Sequence, residues 1–351
     1  VKAGVNAVNV LLLPVSWMYG FVMIVRNWLY AVGAFRTHPV GVPVISVGNL
    51  TTGGSGKTPL VEYIVERLLE EHQVVAVVSR GYKRSTTGTH VVSDGRSVLS
   101  TADKSGDEPY QIAMKYPSAR VVVDEERVRG AEYAVRNLGA SVIVLDDGFQ
   151  HRSIRRDLDV LVIDVERPPQ RSAMLPAGRR REPLSALKRA QAIIYSRWSD
   201  SDGPRVDKEV SERTPVPRFR AVFRTGSAVR LDNGVRESAG LIRGKRCLGF
   251  CGIARPEAFR KTLVECGAMV KDLLVYPDHY AYRDKEADRI VKRGSELGVD
   301  LFVTTEKDAV RLSDGFTKRF HPGFPLYYLE VRADIVEKAD FTAVLKGLIR
   351  S

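Results

Sequence analysis

An apolar run, Val44-Ile-Ser-Val-Gly48, leads into Asn49-Leu-Thr-Thr-Gly53-Gly54-Ser55-Gly56-Lys57-Thr58-Pro59, and a helical stretch follows. Strand, glycine loop and helix in that order form a phosphate-binding loop. Its glycines let backbone N–H groups close around phosphate oxygens, and the helix N-terminus favours negative charge. Residues Thr51, Thr52, Gly53, Gly54, Ser55, Gly56, Lys57 and Thr58 are the expected nucleotide contacts. Lys57 would reach the β- and γ-phosphates of ATP, and the Thr58 hydroxyl would ligate Mg²⁺. Pro59 suits the first helical turn, where its missing N–H costs nothing. The strict pattern calls for glycine at position 51, where this chain has Thr51.

A second apolar run, Ser141-Val-Ile-Val-Leu145, ends in Asp146-Asp147-Gly148-Phe149-Gln150-His151. Carboxylates at the carboxyl end of a parallel strand sit at the ligand edge of the sheet, where a P-loop enzyme holds Mg²⁺. Asp146 and Asp147 are therefore candidate metal ligands, and the residues alone do not rank them. A solvated turn is the other reading of the pair. His151 fits either a substrate contact or an exposed loop.

These residues need a scaffold that brings several strand ends to one edge. Short β-branched runs at Pro43–Val47, Val74–Ser79, Ala119–Val123, Ser141–Leu145, Leu158–Ile163 and Ala192–Tyr195 alternate early with helical stretches at Leu60–Glu71, Glu108–Tyr116 and Glu126–Leu138. The alternation predicts an α/β fold, a P-loop NTPase-like mostly parallel sheet covered on both faces. Residues 201–240, rich in Asp, Ser, Arg and Pro, read as a linker with a hairpin between Phe219 and Arg236. Alternation resumes beyond it, so the expected organisation is an anchor region (1–36), a P-loop core (37–200), the linker (201–240) and a smaller α/β domain (241–351).

From Val5 to Val25 no residue is charged. That is about the length of a membrane-spanning helix, although Asn6, Asn9, Pro14, Ser16 and Gly20 interrupt it. Trp17, Tyr19, Trp28 and Tyr30 suit a lipid interface. The favoured reading is an anchor that spans or dips into a membrane. The alternatives are a helix packed on the body, and a signal peptide cleaved near Ala31-Val32-Gly33. The nucleotide loop argues against secretion.

Of the 351 residues, 54 are Lys or Arg and 42 are Asp or Glu, a net charge of +12. The excess favours an anionic partner. No aromatic–basic alternation of a single-strand nucleic-acid groove stands out, so no nucleic-acid partner is expected. The cysteines are three, Cys247, Cys251 and Cys266, an odd number that argues against a disulfide framework. Buried thiols are favoured over a zinc site.

The chain resembles the lipid A tetraacyldisaccharide 4'-kinase family. The resemblance rests on the loop Val47–Pro59, Ser79-Arg-Gly-Tyr82, Gly106-Asp-Glu-Pro109, Leu145-Asp-Asp-Gly-Phe-Gln-His151, Leu175-Pro-Ala-Gly178 with Arg181-Glu-Pro183, Pro277-Asp-His-Tyr280 and Thr304-Thr-Glu-Lys-Asp308. Thr51 is part of the family's loop. The resemblance implies transfer of the ATP γ-phosphate to the 4'-hydroxyl of a tetraacyldisaccharide 1-phosphate. It implies work at the cytoplasmic face of a Gram-negative inner membrane, on an anionic glycolipid, without an obligate protein partner.

It also implies that Asp107 and His279 act together as a base, although alone Asp107 fits a helix N-cap and His279 a surface loop. Arg181 and Glu182 are implied at the active site, with Glu182 near the metal. Arg80, Tyr82, Gln150, His151 and Arg181 are the remaining expected substrate contacts. Arg179 and Arg180 suit lipid phosphate, where each basic residue contributes about 1 kcal/mol. Thr305, Lys307 and Asp308 resemble a base-reading motif. The competing function is a membrane-tethered P-loop ATPase switch without a lipid substrate, which would need no Asp107–His279 base. A nucleic-acid-dependent ATPase rests on charge alone.

Overall fold

A computed structural model of the chain describes residues 10–320 and 323–349. The phosphate-loop strand β1 (Val44–Asn49) is buried at all six positions. So are β2 (Val75–Ser79), β5 (Val142–Asp146), β6 (Leu158–Asp164) and β7 (Ala192–Ser196). Continuous burial explains why these runs are apolar throughout rather than alternating: a parallel strand is covered on both faces.

The remaining strands are β3 (His90–Asp94), β4 (Arg120–Val123), β8 (Arg218–Arg230), β9 (Arg236–Ser238), β10 (Arg246–Cys251), β11 (Met269–Val275), β12 (Leu301–Thr305) and β13 (Leu326–Ile335). The order across the sheet is β11-β10-β12-β13-β8-β7-β6-β1-β5-β2-β4-β3, with β9 paired to β8. All pairings from β4 to β8 and from β13 to β11 are parallel; β13 meets β8 antiparallel. Val47 of β1 lies opposite Asp146 of β5. The loop and the aspartates thus leave the sheet side by side.

Residues 201–240 carry a helix (Gly203–Ser211) and the 13-residue β8, which joins the two parallel sets into one sheet. The polar texture there reflects a strand with alternating exposed positions. The expected hairpin is the β8–β9 pairing, Ala228 opposite Glu237.

Helix α1 (Leu13–Ala31) precedes the sheet, and α2 (Lys57–Glu70) follows the phosphate loop. Then come α3 (Asp107–Lys115), α4 (Arg127–Leu138) and, late in the chain, α5 (Lys338–Ile349). The main core packs Leu60, Val61, Ile64 and Leu68 of α2 on Ile45, Val77, Val121 and Val144. Phe341 and Leu345 of α5 belong to the same core, so the last helix returns to the phosphate-loop side. Phe341 meets Phe219 edge-on at 5.0 Å.

Among the described residues no helix is long and apolar enough to cross a membrane. The start of the uncharged run, Val5 to Asn9, lies outside them. Helix α1 lies along the protein with an inverted pattern. Ser16, Tyr19, Met23, Arg26 and Asn27, at three- and four-residue spacing, face inward. Ser16 Oγ accepts from Ala177 N at 2.9 Å, and Tyr19 Oη donates to the Arg181 carbonyl at 2.9 Å. Arg26 donates to the Gln150 carbonyl at 2.8 Å. Trp17, Met18, Phe21, Val22, Ile24 and Trp28 stay exposed, Trp17 at 71%.

Candidate active site

The phosphate loop is held open by specific geometry. Gly56 sits at φ 81°, and a Cβ there would fall 2.4 Å from Phe223 Cζ, so only glycine fits. Gly53 also has positive φ, at 102°. Thr51 is buried in an isolated bridge with Arg180, and Thr52 N donates to the Arg179 carbonyl at 2.8 Å. Threonine replaces the first glycine because position 51 pairs as extended backbone instead of turning. At the other end Asn49 Nδ2 donates to Ser55 Oγ at 2.9 Å, and the Ser196 hydroxyl holds the Ser55 carbonyl at 2.8 Å. Lys57 Nζ lies 3.2 Å from Asn49 Oδ1 and 3.3 Å from Asp147 Oδ1. Thr58 follows it in the first turn of α2.

The two aspartates divide sharply. Asp147 takes a left-handed conformation, φ 51°, which turns its carboxylate toward Lys57 and toward Arg181 at 2.7 Å. Burial works to raise its pKa, but the two cations hold it far below the usual range. Asp146 is buried, accepts from Ser79 Oγ at 3.1 Å, and leaves Oδ1 buried without a hydrogen-bond partner. Burial, with the charges of Glu108 and Asp147, pushes its pKa up to about 7.

The unpaired Asp146 Oδ1 suits a hard cation such as Mg²⁺; Asp147 Oδ1 also lacks a hydrogen-bond partner but is ion-paired with Lys57 at 3.3 Å. Among the described residues no group of three or more His, Cys, Asp or Glu side chains could hold a metal alone. An ion bound by one or two carboxylates together with nucleotide phosphates needs no such group.

Folding raises the Asp146 pKa. The associated stability is therefore fully present below the ordinary carboxyl range and is lost as pH rises toward about 7. Asp146→Asn cannot ionise. It should raise the apo-protein Tm more at about pH 8 than at about pH 5; equal shifts would mean that the buried carboxylate ionises without penalty.

Glu182 is placed differently from a metal ligand. Its buried carboxylate accepts from Arg189 at 2.6 and 3.1 Å, from Asn27 at 2.9 Å and from Gln150 at 3.1 Å. These donors occupy both oxygens and tie α1 to the loop that carries Arg181. Gln150 also donates to the Asn49 carbonyl at 2.9 Å and accepts from Arg181 at 3.3 Å. His151 is depressed to about 3 by burial and then by the charge of Arg127, so its imidazole is neutral. Arg80 is exposed, and its charge reaches both His151 and Arg127.

Asp107 opens α3, and His279 lies in the loop after β11. Although 172 positions apart, they meet: His279 Nδ1 is 2.8 Å from Asp107 Oδ2. His279 has φ 62°, and its N–H donates to the Gly252 carbonyl at 3.1 Å. Arg311 Nε donates to the same Asp107 oxygen at 2.7 Å. Burial works to raise the Asp107 pKa, but the His279 bond and Arg311 outweigh it and hold the carboxylate low. Tyr82, exposed, stands edge-on to the His279 ring at 5.7 Å. Gly81, two residues beyond the Ser79 that bonds Asp146, packs its backbone on Gly106, the residue before Asp107, so the pair lies beside the acidic strand end.

Asp308 is not free to read a base. It is buried and accepts from Gly252 N at 3.0 Å, Tyr282 Oη at 3.2 Å and Arg311 Nη1 at 3.0 Å. Residue-type reasoning missed Arg311 and Arg127. Arg311 stands four residues after Lys307, and that spacing was the available signal. Arg127 is fully buried and held down to about 10 by burial despite Asp146 and Asp147; nothing local marks it.

A family model described as tetraacyldisaccharide-1-P 4'-kinase matches residues 8–350. A tetraacyldisaccharide 4'-kinase of Chlorobaculum parvum is 41% identical over 315 residues, 88% of this chain and 86% of that one. Another from Syntrophotalea carbinolica is 41% identical over 341 residues, 96% of this chain and 91% of that one. The crystal structure of the "apo" form of LpxK from Aquifex aeolicus in complex with ATP superposes with a TM-score of 0.80 at 30% identity, covering 97% of this chain and 99% of that one. A match over nearly the whole length, with relatives this similar, establishes that the chain belongs to the tetraacyldisaccharide-1-P 4'-kinase family.

Proposed function

We propose that this chain transfers the γ-phosphate of ATP to the 4'-hydroxyl of tetraacyldisaccharide 1-phosphate, giving lipid IVA in lipid A biosynthesis. The observation that carries the reading is the Asp107–His279 pair, 2.8 Å apart across 172 positions of sequence. A switch ATPase has no acceptor hydroxyl and no use for such a pair, and the family membership favours the kinase over it.

The loop amides and Lys57 would cradle the nucleotide phosphates, while Arg181 and Lys57 balance the Asp147 charge beside them. Thr58 and Asp146 would hold Mg²⁺, which supplies charge neutralisation on the transferring group when bound. Asp107 accepts a hydrogen bond from His279 Nδ1, which fixes the ring; Nε2, which Lys307 Nζ approaches to 3.4 Å, would take the proton of the sugar hydroxyl once the acceptor displaces that ammonium. Tyr82 would pack on the acceptor sugar, while Arg80, Gln150 and His151 line its approach.

The partner is an anionic glycolipid at a membrane surface, and we place the chain at the cytoplasmic face of the inner membrane. The inverted pattern of α1 supports this: its polar side chains are spent on the protein, which leaves Trp17, Phe21 and Trp28 for lipid. Replacing these three with Ser should abolish sedimentation with anionic vesicles yet preserve turnover of detergent-dispersed substrate. Unchanged vesicle binding would place the membrane contact elsewhere.

The direct test incubates the protein in mild detergent with γ-labelled ATP, Mg²⁺ and tetraacyldisaccharide 1-phosphate. Label in a doubly phosphorylated lipid is the expected result. Label released only as free phosphate would favour the switch.

A further inference from the structure

Asp107, Gln111 and Lys115 are spaced by four along α3 and so share one face. That face meets the segment 306–311 in antiparallel register. Asp107 pairs with Arg311 at 2.7 Å, Glu108 with Lys307 at 3.6 Å and Lys115 with Glu306 at 2.9 Å. At the Lys115 end a third element enters. Glu62 of α2, buried, accepts from Lys115 at 2.8 Å and from Gln111 at 2.7 Å. Lys115 also donates to the Val331 carbonyl at 3.2 Å, and Val331 N donates to Glu306 at 3.1 Å.

One ammonium thus joins the phosphate-loop helix, the helix that begins at Asp107, and the chain that supplies Lys307 and Arg311 to His279. Two buried carboxylates around one lysine are a poor source of stability, because desolvation consumes most of the attraction. Their well-attested use is to fix register. Burial and the Glu306 charge push Glu62 up to about 7, while both carboxylates hold Lys115 above its ordinary value against burial. The ammonium is therefore the permanent charge of the cluster.

We infer that Lys115 is a positioning residue for phosphoryl transfer: the Glu62–Lys115–Glu306 cluster sets the register between the phosphate-loop helix and the Asp107–His279 pair. The inference rests on the proposed role of that pair. Lys115 touches no substrate; it acts by keeping the base aligned with the nucleotide.

The test is a double-variant cycle on the full chain, measuring kcat and ATP affinity for Lys115→Met, His279→Ala and the combination. Lys115→Met should lower kcat roughly tenfold to a hundredfold, the cost of about 1 Å of misplacement, with ATP affinity kept. The combination should turn over within about twofold of His279→Ala alone, because both act through one base. Unchanged kcat in Lys115→Met, or effects that multiply, would overturn the inference. If Lys115→Met fails to fold, Glu306→Gln keeps the side-chain shape and carries the same cycle with the same expected outcomes. Near-normal turnover of His279→Ala would instead sink the base itself. The two failures are therefore distinct.

Discussion

Lys57→Ala should lose phosphoryl transfer by about 10²–10³-fold or more, the scale seen when one preorganised charge-stabilising donor is removed. The ammonium is already placed, 3.3 Å from Asp147 and 3.2 Å from Asn49, so no rearrangement is needed to bring it to the loop. Fold stability should fall only by about 1–3 kcal/mol, the cost of leaving Asp147 Oδ1 buried without its Lys57 partner. Asp147 keeps its 2.7 Å pairing with Arg181, and Lys57 supports no part of the apolar core. The check is turnover alongside thermal melting: a folded variant with near-normal kcat would remove Lys57 from the phosphate site.

His279→Ala should reduce kcat by roughly 10²–10⁴-fold, the usual worth of a positioned general base, and leave ATP affinity nearly intact. The split is the informative part. His279 sits with Asp107 and Arg311, not among the loop amides, so its loss removes the proton acceptor without touching the nucleotide cradle. Asp107→Asn should follow in the same direction, because it withdraws the negative partner that orients the imidazole and supports its positive form. An effect confined to KM would make His279 a binding residue.

Both variants address residues of very different visibility. The phosphate loop was legible because its chemistry is local. Gly56, Lys57 and Thr58 are adjacent, and the strand and helix that flank them carry their own patterns. Asp146 and Asp147 were legible as a pair for the same reason. Their ranking was not, since it depends on what surrounds each carboxylate: Ser79 and burial for one, Lys57 and Arg181 for the other. Glu182 shows the opposite case. Its place in an arginine-rich stretch suits a metal or a solvated loop, yet its donors are Arg189, Asn27 and Gln150.

By itself the sequence determined the α/β alternation, the nucleotide loop, the acidic strand end and an uncharged, aromatic-rich first segment. Each is written in residues a few positions apart, where spacing of two, three or four dictates which side chains share a face. Only the tertiary structure decided that β8 fuses two parallel sets into one sheet, that the last helix returns to the first core, and that α1 turns its polar side inward. It alone joined Asp107 to His279, and Glu62 through Lys115 to Glu306. Those contacts join residues far apart in the chain. They exist because burying the apolar faces fixes where the strand ends and helices meet, and the buried charges must then find partners.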